Sequence, residues 1–77
     1  MKKISITKVR RELSALHVRY MDYCQVYTIN DYTVKVCIEY SPRLKDDIMT
    51  VVNYLKANYK VEVHVDGTYI ITQKNEY

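Results

Sequence analysis

The sequence predicts an α+β domain in which two helices pack on one face of a four-stranded antiparallel sheet. Two segments repeat apolar residues at helical spacing, and four others are rich in β-branched and aromatic residues. Pairs of turn-forming residues divide those four segments into two hairpins. The 77 residues are 48% apolar and 27% charged, which is typical of a globular chain. We therefore expect one domain over residues 1–77, with the order α-β-β-α-β-β.

The first helix is predicted to begin after an N-cap at Thr7 and to end near Tyr20. Its apolar residues follow i, i+4, i+7, i+11 spacing and form one narrow stripe, made of Val9, Leu13, Leu16 and Tyr20. Before it, Ile4 and Ile6 alternate with polar residues and predict a short extra strand. With that strand the chain resembles ferredoxin-like folds in element order alone.

The first hairpin is predicted from residues 23–29 and 32–40, with Asn30-Asp31 as a two-residue loop. This register pairs Ile29 with Tyr32 and makes one face apolar. The predicted inner face consists of Tyr27, Ile29, Tyr32, Val34, Val36, Ile38 and Tyr40. The outer face would carry Val26, Thr28, Thr33, Lys35 and Glu39. Cys24 would lie opposite Cys37, close enough for a disulfide, although a cytosolic protein favours two reduced thiols there.

The second helix is predicted to begin at Ser41-Pro42, because serine caps a helix and proline at the first position loses no useful N–H. Its buried face is expected to hold Leu44, Ile48, Val51, Val52, Leu55 and Tyr59. Asp66-Gly67 then predicts the second hairpin. Its inward residues are expected to be Val61, Val63 and Val65, opposite Thr68, Ile70 and Thr72.

The sequence contains no motif for catalysis, for a cofactor or for a metal. His17 and His64 are the available bases, but no motif surrounds either. Asp46 and Asp47 are adjacent on a helix and point in different directions, as helix-terminal charges do. The cysteines lack zinc-site spacing, and the single glycine argues against a phosphate-binding loop. We predict a protein that is not an enzyme and uses no cofactor.

Charge is concentrated near the amino terminus. Residues 1–20 carry a net charge of +5 and residues 21–77 carry −2, which together give the net +3. A basic first helix could meet phosphates or an acidic protein surface. The alternative is a solvated helix face that pairs with the carboxylates of the second helix. The nine tyrosines either pack at the core margin or form contact surface.

We predict partner binding through the basic helix and exposed tyrosines. The candidate residues are Lys8, Arg10, Arg11, Val18, Arg19, Met21 and Tyr23. The expected partner is a host or partner protein with an acidic surface, toward which this chain acts as an inhibitor or adaptor. The same residues could instead join two copies as a homodimer. Nucleic-acid binding is the alternative function, but the small net charge and the lack of an RNP-like signature argue against it. A small-molecule enzyme or sequestering protein would need a pocket that this thin core could hardly enclose.

The small size, the tyrosines and the lack of catalytic groups resemble, in type, the compact inhibitors encoded by phages and mobile elements. Anti-CRISPR proteins are one group of these. No apolar run approaches the roughly 18 residues that span a bilayer, and the first residues do not resemble a signal peptide. A cytoplasmic protein without membrane contact is therefore expected.

Overall fold

A computed structural model of the protein describes residues 2–16, 23–65 and 67–74. Its helices and strands are α1 (Ile6–Ser14), β1 (Cys24–Asn30), β2 (Thr33–Ile38), α2 (Lys45–Asn58), β3 (Tyr59–Val63) and β4 (Thr68–Gln73). The strands form one antiparallel sheet in the spatial order β1-β2-β4-β3. The predicted α+β fold with a four-stranded antiparallel sheet is confirmed.

The core lies between the two helices and one face of the sheet. Both helices contribute buried residues, which are Val9 and Leu13 from α1 and Ile48, Val51, Val52 and Leu55 from α2. They pack against the inner face of the sheet, formed by Cys24, Val26, Val34, Val36, Ile38, Tyr59 and Ile71. The opposite face of the sheet carries Tyr27, Lys35, Cys37 and Ile70, and neither described helix packs on it.

Helix α1 begins two residues earlier than predicted. Ser5 is its cap, because the Ser5 hydroxyl oxygen accepts a hydrogen bond from the Lys8 backbone N–H at 3.2 Å. The predicted cap at Thr7 is therefore wrong. The predicted strand at residues 4–6 is also wrong, since Ile6 is helical and Ile4 is buried beside the β1–β2 turn. Without that strand, the ferredoxin-like order does not apply.

The carboxyl end of α1 is also earlier than predicted. The helix ends at Ser14, and the N–H of the following Ala15 bonds to the carbonyls of the last turn. Leu16 lies in a turn yet still packs against the core. The rest of the predicted helix, including Tyr20, lies outside the described residues.

The first hairpin has a register one residue away from the predicted one. Asn30 pairs with Thr33, and an irregularity between Thr28 and Asn30 leaves Ile29 unpaired, as in a β-bulge. Past the bulge, Val26 pairs with Val36. A one-residue slip exchanges the two faces of a strand. Val26 therefore faces the core instead of solvent, and Tyr27 is exposed instead of buried. The prediction is also wrong for Ile29, in the bulge, and for Tyr32 and Tyr40, which lie beyond the two ends of β2 and are exposed.

The two cysteines lie on opposite faces of the sheet. Gln25, not Cys24, pairs with Cys37, so the predicted Cys24–Cys37 pairing is wrong and both thiols are free. Cys24 faces the core. Burial raises the pKa of the Cys24 thiol to about 12, because the thiolate would lose its hydration there.

Helix α2 follows the prediction closely. A 3-10 turn at Pro42–Leu44 leads into the α-helix, and the Leu44 N–H donates to the Ser41 carbonyl at 2.9 Å. Ser41 makes no side-chain capping bond, so proline provides the start of the helix. Tyr59 is buried as predicted, but as the first residue of β3.

The second hairpin also differs by one residue from its predicted register. Val63 pairs with Tyr69 and Val61 with Ile71, so the predicted pairing with Thr68, Ile70 and Thr72 is wrong. The reason is Gly67, whose φ is +80° and whose carbonyl oxygen accepts from the Ile38 N–H at 2.6 Å. A Cβ at Gly67 would lie 2.3 Å from the Ile38 carbonyl oxygen. The turn therefore closes directly against β2, and only glycine allows this approach.

Candidate functional site

Three of the predicted partner-binding residues, Lys8, Arg10 and Arg11, lie on α1 and are exposed. Lys8 and Arg11 are three positions apart and so share one side of the helix. No carboxylate within residues 2–16, 23–65 and 67–74 forms an ion pair with either of them. Pairing with Asp46 and Asp47 of α2, the structural alternative, is therefore not found. These two cations remain available for a partner.

Arg10 has a structural role. Its guanidinium Nη2 donates to the backbone carbonyl oxygen of Val26 at 3.0 Å. Strand β1 is at one edge of the sheet, and the Glu39 N–H bonds to the Tyr23 carbonyl. In an antiparallel ladder, alternate residues bond to the partner strand, so the Val26 carbonyl points away from β2. Arg10 thus satisfies one outward carbonyl at this edge of the sheet.

The other predicted contact residues do not form an exposed surface in the described parts of the chain. Tyr23 is 4% exposed and belongs to the core, which removes it from the predicted surface. Val18, Arg19 and Met21 lie outside the described residues.

A separate group of exposed residues surrounds the β1–β2 turn. Tyr27, Ile29 and Tyr32 are 45%, 50% and 39% exposed. The Ile4 N–H donates to the backbone carbonyl of Asp31 in this turn at 2.9 Å, which fixes the neighbouring Lys3 beside it. We call Lys3, Tyr27, Ile29 and Tyr32 the turn patch. It combines apolar and aromatic surface with positive charge from the amino-terminal segment.

Local contacts restrain the turn patch. The Tyr27 hydroxyl donates to Gln25 Oε1, and Lys35 Nζ lies 5.3 Å from the Tyr27 ring centroid. The Asn30 side-chain oxygen accepts from the Tyr32 backbone N–H at 2.8 Å, which stabilises the turn. The Tyr27 side chain and the turn backbone, held in this way, lose less conformational entropy when a partner binds.

Glu12 is the one acidic residue among residues 2–16, and its carboxylate is used inside the fold. It accepts a hydrogen bond from the hydroxyl of the buried Tyr59. Burial and then the Glu12 carboxylate raise the pKa of Tyr59, and the same two causes raise the pKa of Tyr54. The exposed surface of α1 therefore keeps its positive character.

Sequence reasoning misses the turn patch because it places Tyr27, Ile29 and Tyr32 in the core. One signal could have revealed the patch. Cys24 and Val26 alternate on the same strand and are smaller than Tyr27 and Ile29, so they fit more easily beneath a closely packed helix.

The described residues contain no metal site and no membrane-spanning helix. Across residues 2–16, 23–65 and 67–74, no three His, Cys, Asp or Glu side chains come together to hold an ion. The His64 Nε2 atom lies 3.5 Å from Glu62 Oε1. Glu62 is on β3, His64 follows just after the strand, and both side chains are exposed. None of the described helices has the length and apolar character to cross a bilayer.

No family model, curated protein or solved structure matches this chain. Function is therefore inferred from the chemistry of its exposed residues.

Proposed function

We propose that this protein is a non-enzymatic binding module that inhibits or adapts a partner protein with an acidic surface. The turn patch would supply the contact, and Lys8 and Arg11 of α1 would add further positive charge. The observation that carries this proposal is the Ile4–Asp31 hydrogen bond, because it joins the basic amino-terminal segment to the apolar turn.

The chemistry of the turn patch suits a protein interface. Tyrosine is enriched among residues that dominate binding energy, and such residues are most effective when a rim around them excludes water. Charged groups at the rim contribute more to association rate and specificity than to affinity. Ile29 and Tyr32 would thus be the anchors, and Lys3, Lys8 and Arg11 would steer an acidic partner toward them.

We propose further that this protein acts as phage and mobile-element inhibitors do, which it resembles in type and which include anti-CRISPR proteins. Such a protein would act in the cytoplasm on a host protein. Support comes from the small fold and from an exposed patch in which the Tyr27 side chain and the turn backbone at Tyr32 are already restrained before binding.

The test is capture of partners from a lysate of the source host with matched variants. The wild-type protein, the double variant Ile29→Ser/Tyr32→Ser and the control Tyr40→Ser are immobilised at equal density. Tyr40 is 66% exposed but lies outside the turn patch, so its loss controls for surface tyrosine in general. We expect one protein to be retained by wild type and by the control, and to be lost with the double variant. Equal retention by the double variant would remove the turn patch from the proposal.

Nucleic-acid binding is the second candidate, and the observation that favours it is the lack of any ion pair at Lys8 and Arg11 within the described residues. The same capture is run with nuclease-treated and untreated lysate. A partner lost on nuclease treatment indicates nucleic acid. A salt titration with random DNA decides the point, since several phosphate contacts give a steep dependence of affinity on salt.

A further inference from the structure

The sheet has two edges, and the outward backbone groups of the two edge strands differ in their hydrogen bonding. At the β1 edge, Arg10 bonds to the outward carbonyl of Val26. Strand β3 forms the other edge and, among the described strands, pairs with β4 alone. The His64 N–H bonds to the Thr68 carbonyl. Because bonding alternates along a strand, the N–H and C=O groups of Lys60 and Glu62 also point toward β4. Tyr59, Val61 and Val63 therefore direct theirs outward.

The outward groups at Val61 and Val63 have no partner among the described residues. At Tyr59 the N–H already bonds to the Leu55 carbonyl at the end of α2. The Tyr59 carbonyl is therefore the group of this residue that could accept a bond from another strand. Val63 is 56% exposed, and Val65 just beyond the strand is 68% exposed. An open strand with apolar side chains is a template for pairing with another strand.

We propose that a second copy of this chain pairs with this edge, β3 against β3, to form a symmetric dimer with a continuous antiparallel sheet. The charges of β3 favour a second copy of this chain, because its positive and negative side chains can face each other across an antiparallel pair. When the two-fold axis passes through Val61, Lys60 of each copy faces Glu62 of the other, and both are exposed on the open face of the sheet.

The same charges select the register. The outward backbone groups also allow pairing centred on residue 60 or on residue 62. Centring on residue 60 would place two Lys60 side chains opposite each other, and centring on residue 62 would oppose two Glu62 side chains. Like charges directly opposite each other destabilise a sheet. Centring on Val61 also sets the exposed Val63 beside Tyr59 of the second copy, which covers apolar surface.

This inference is independent of the proposed function. Strands β1 and β3 are at opposite edges of the sheet, so pairing through β3 leaves the turn patch uncovered. A dimer would carry two turn patches, one at each far end.

The experiment is a charge swap read by sedimentation equilibrium over a range of protein concentrations. The wild-type protein should show a dimer. Lys60→Glu and Glu62→Lys should each raise the dimer dissociation constant by about tenfold or more, because each places like charges opposite one another. An equimolar mixture of the two variants should recover the dimer, since every cross-strand pair is again of opposite sign. The double variant Lys60→Glu/Glu62→Lys should also dimerise.

Two further variants keep the outcome decisive. Val63→Lys, at an exposed position, should block pairing without any charge swap, and Lys8→Glu on α1 should leave the dimer unchanged. Circular dichroism confirms that each variant is folded. A wild-type protein that stays monomeric at its highest soluble concentration overturns the proposal. So does a dimer that survives both single swaps, or one that Lys8→Glu abolishes while Val63→Lys does not.

Discussion

The hydroxyl of Tyr59 donates a hydrogen bond to the carboxylate of Glu12, although 47 residues separate them. The bond connects α1 to the junction of α2 and β3, two parts of the core that are not adjacent in the chain. Tyr59 is buried, so this bond ties its hydroxyl to the helix from inside the fold.

We predict that Tyr59→Phe lowers the free energy of unfolding by about 1–2 kcal/mol, because it removes a partly buried hydrogen bond to a charged group. Urea denaturation measures the difference. Tyr40→Phe is the matched control, since its hydroxyl lies on an exposed residue and its loss should cost less than about 0.5 kcal/mol. Equal effects of the two substitutions would show that the Glu12 bond contributes nothing.

Stability should fall at alkaline pH, and Cys24 should be responsible for the first part of that fall. Its thiol pKa rises from 9.0 to about 12 on folding, so above pH 9 the unfolded chain loses a proton that the folded protein keeps. The contribution is fully present below pH 9 and declines by up to about 1.4 kcal/mol per pH unit above it. The raised pKa values of Tyr54 and Tyr59 act in the same direction at higher pH.

Cys24→Val separates these contributions. We expect the variant to hold its unfolding free energy nearly constant between roughly pH 9 and pH 10, where wild type declines, and to decline less steeply than wild type above that. Urea melts at intervals of pH provide the measurement. A variant whose curve falls in parallel with wild type from pH 9 would assign the loss to other groups.

Gly67→Ala should destabilise the protein by more than about 2 kcal/mol, since it combines a positive φ with a steric clash. Gly67→Asn separates these two causes. Asparagine tolerates positive φ, but its Cβ meets the same Ile38 carbonyl oxygen 2.3 Å away. We expect Asn to be nearly as damaging as Ala in thermal melts. A clear rescue by Asn would indicate that backbone conformation alone requires glycine.

The double variant Lys8→Glu/Arg11→Glu should slow association with an acidic partner by about tenfold at low salt, with a smaller effect on dissociation. Lys56→Glu is the control, because Lys56 is equally exposed but lies in the last turn of α2. Surface plasmon resonance at two salt concentrations measures both rates. An unchanged association rate would exclude α1 from the encounter. Arg10 is left intact because it supports β1.

The order of helices and strands could be predicted because each depends on local pattern. Helix α2 is the clearest case, since proline fixes its start and its buried residues repeat with helical spacing. Both hairpins were recognised from their turn pairs. Their registers were not, because the bulge at Ile29 and the approach of Gly67 to Ile38 depend on tertiary contacts.

The candidate site could be predicted only in part for the same reason. The exposure of Lys8 and Arg11 follows from the buried stripe of Val9 and Leu13, which the sequence shows. The hydrogen bond from Ile4 to Asp31 joins backbone groups 27 residues apart, and no side-chain pattern in the sequence indicates it. A one-residue error in the register of β1 then assigns the exposed Tyr27 to the core, and the pattern gives no sign of the bulge at Ile29.

The bond from Arg10 at the β1 edge bears on how far the sheet can extend by pairing with further copies. If two copies join through β3, both outer ends of the combined sheet are β1 edges, and each carries an arginine over its outward carbonyl. We expect this contact to hinder the pairing of a third copy at β1, so that assembly favours a finite pair over a fibre. Replacing Arg10 should free that carbonyl at both ends of the pair at once and raise the tendency of the complex to polymerise.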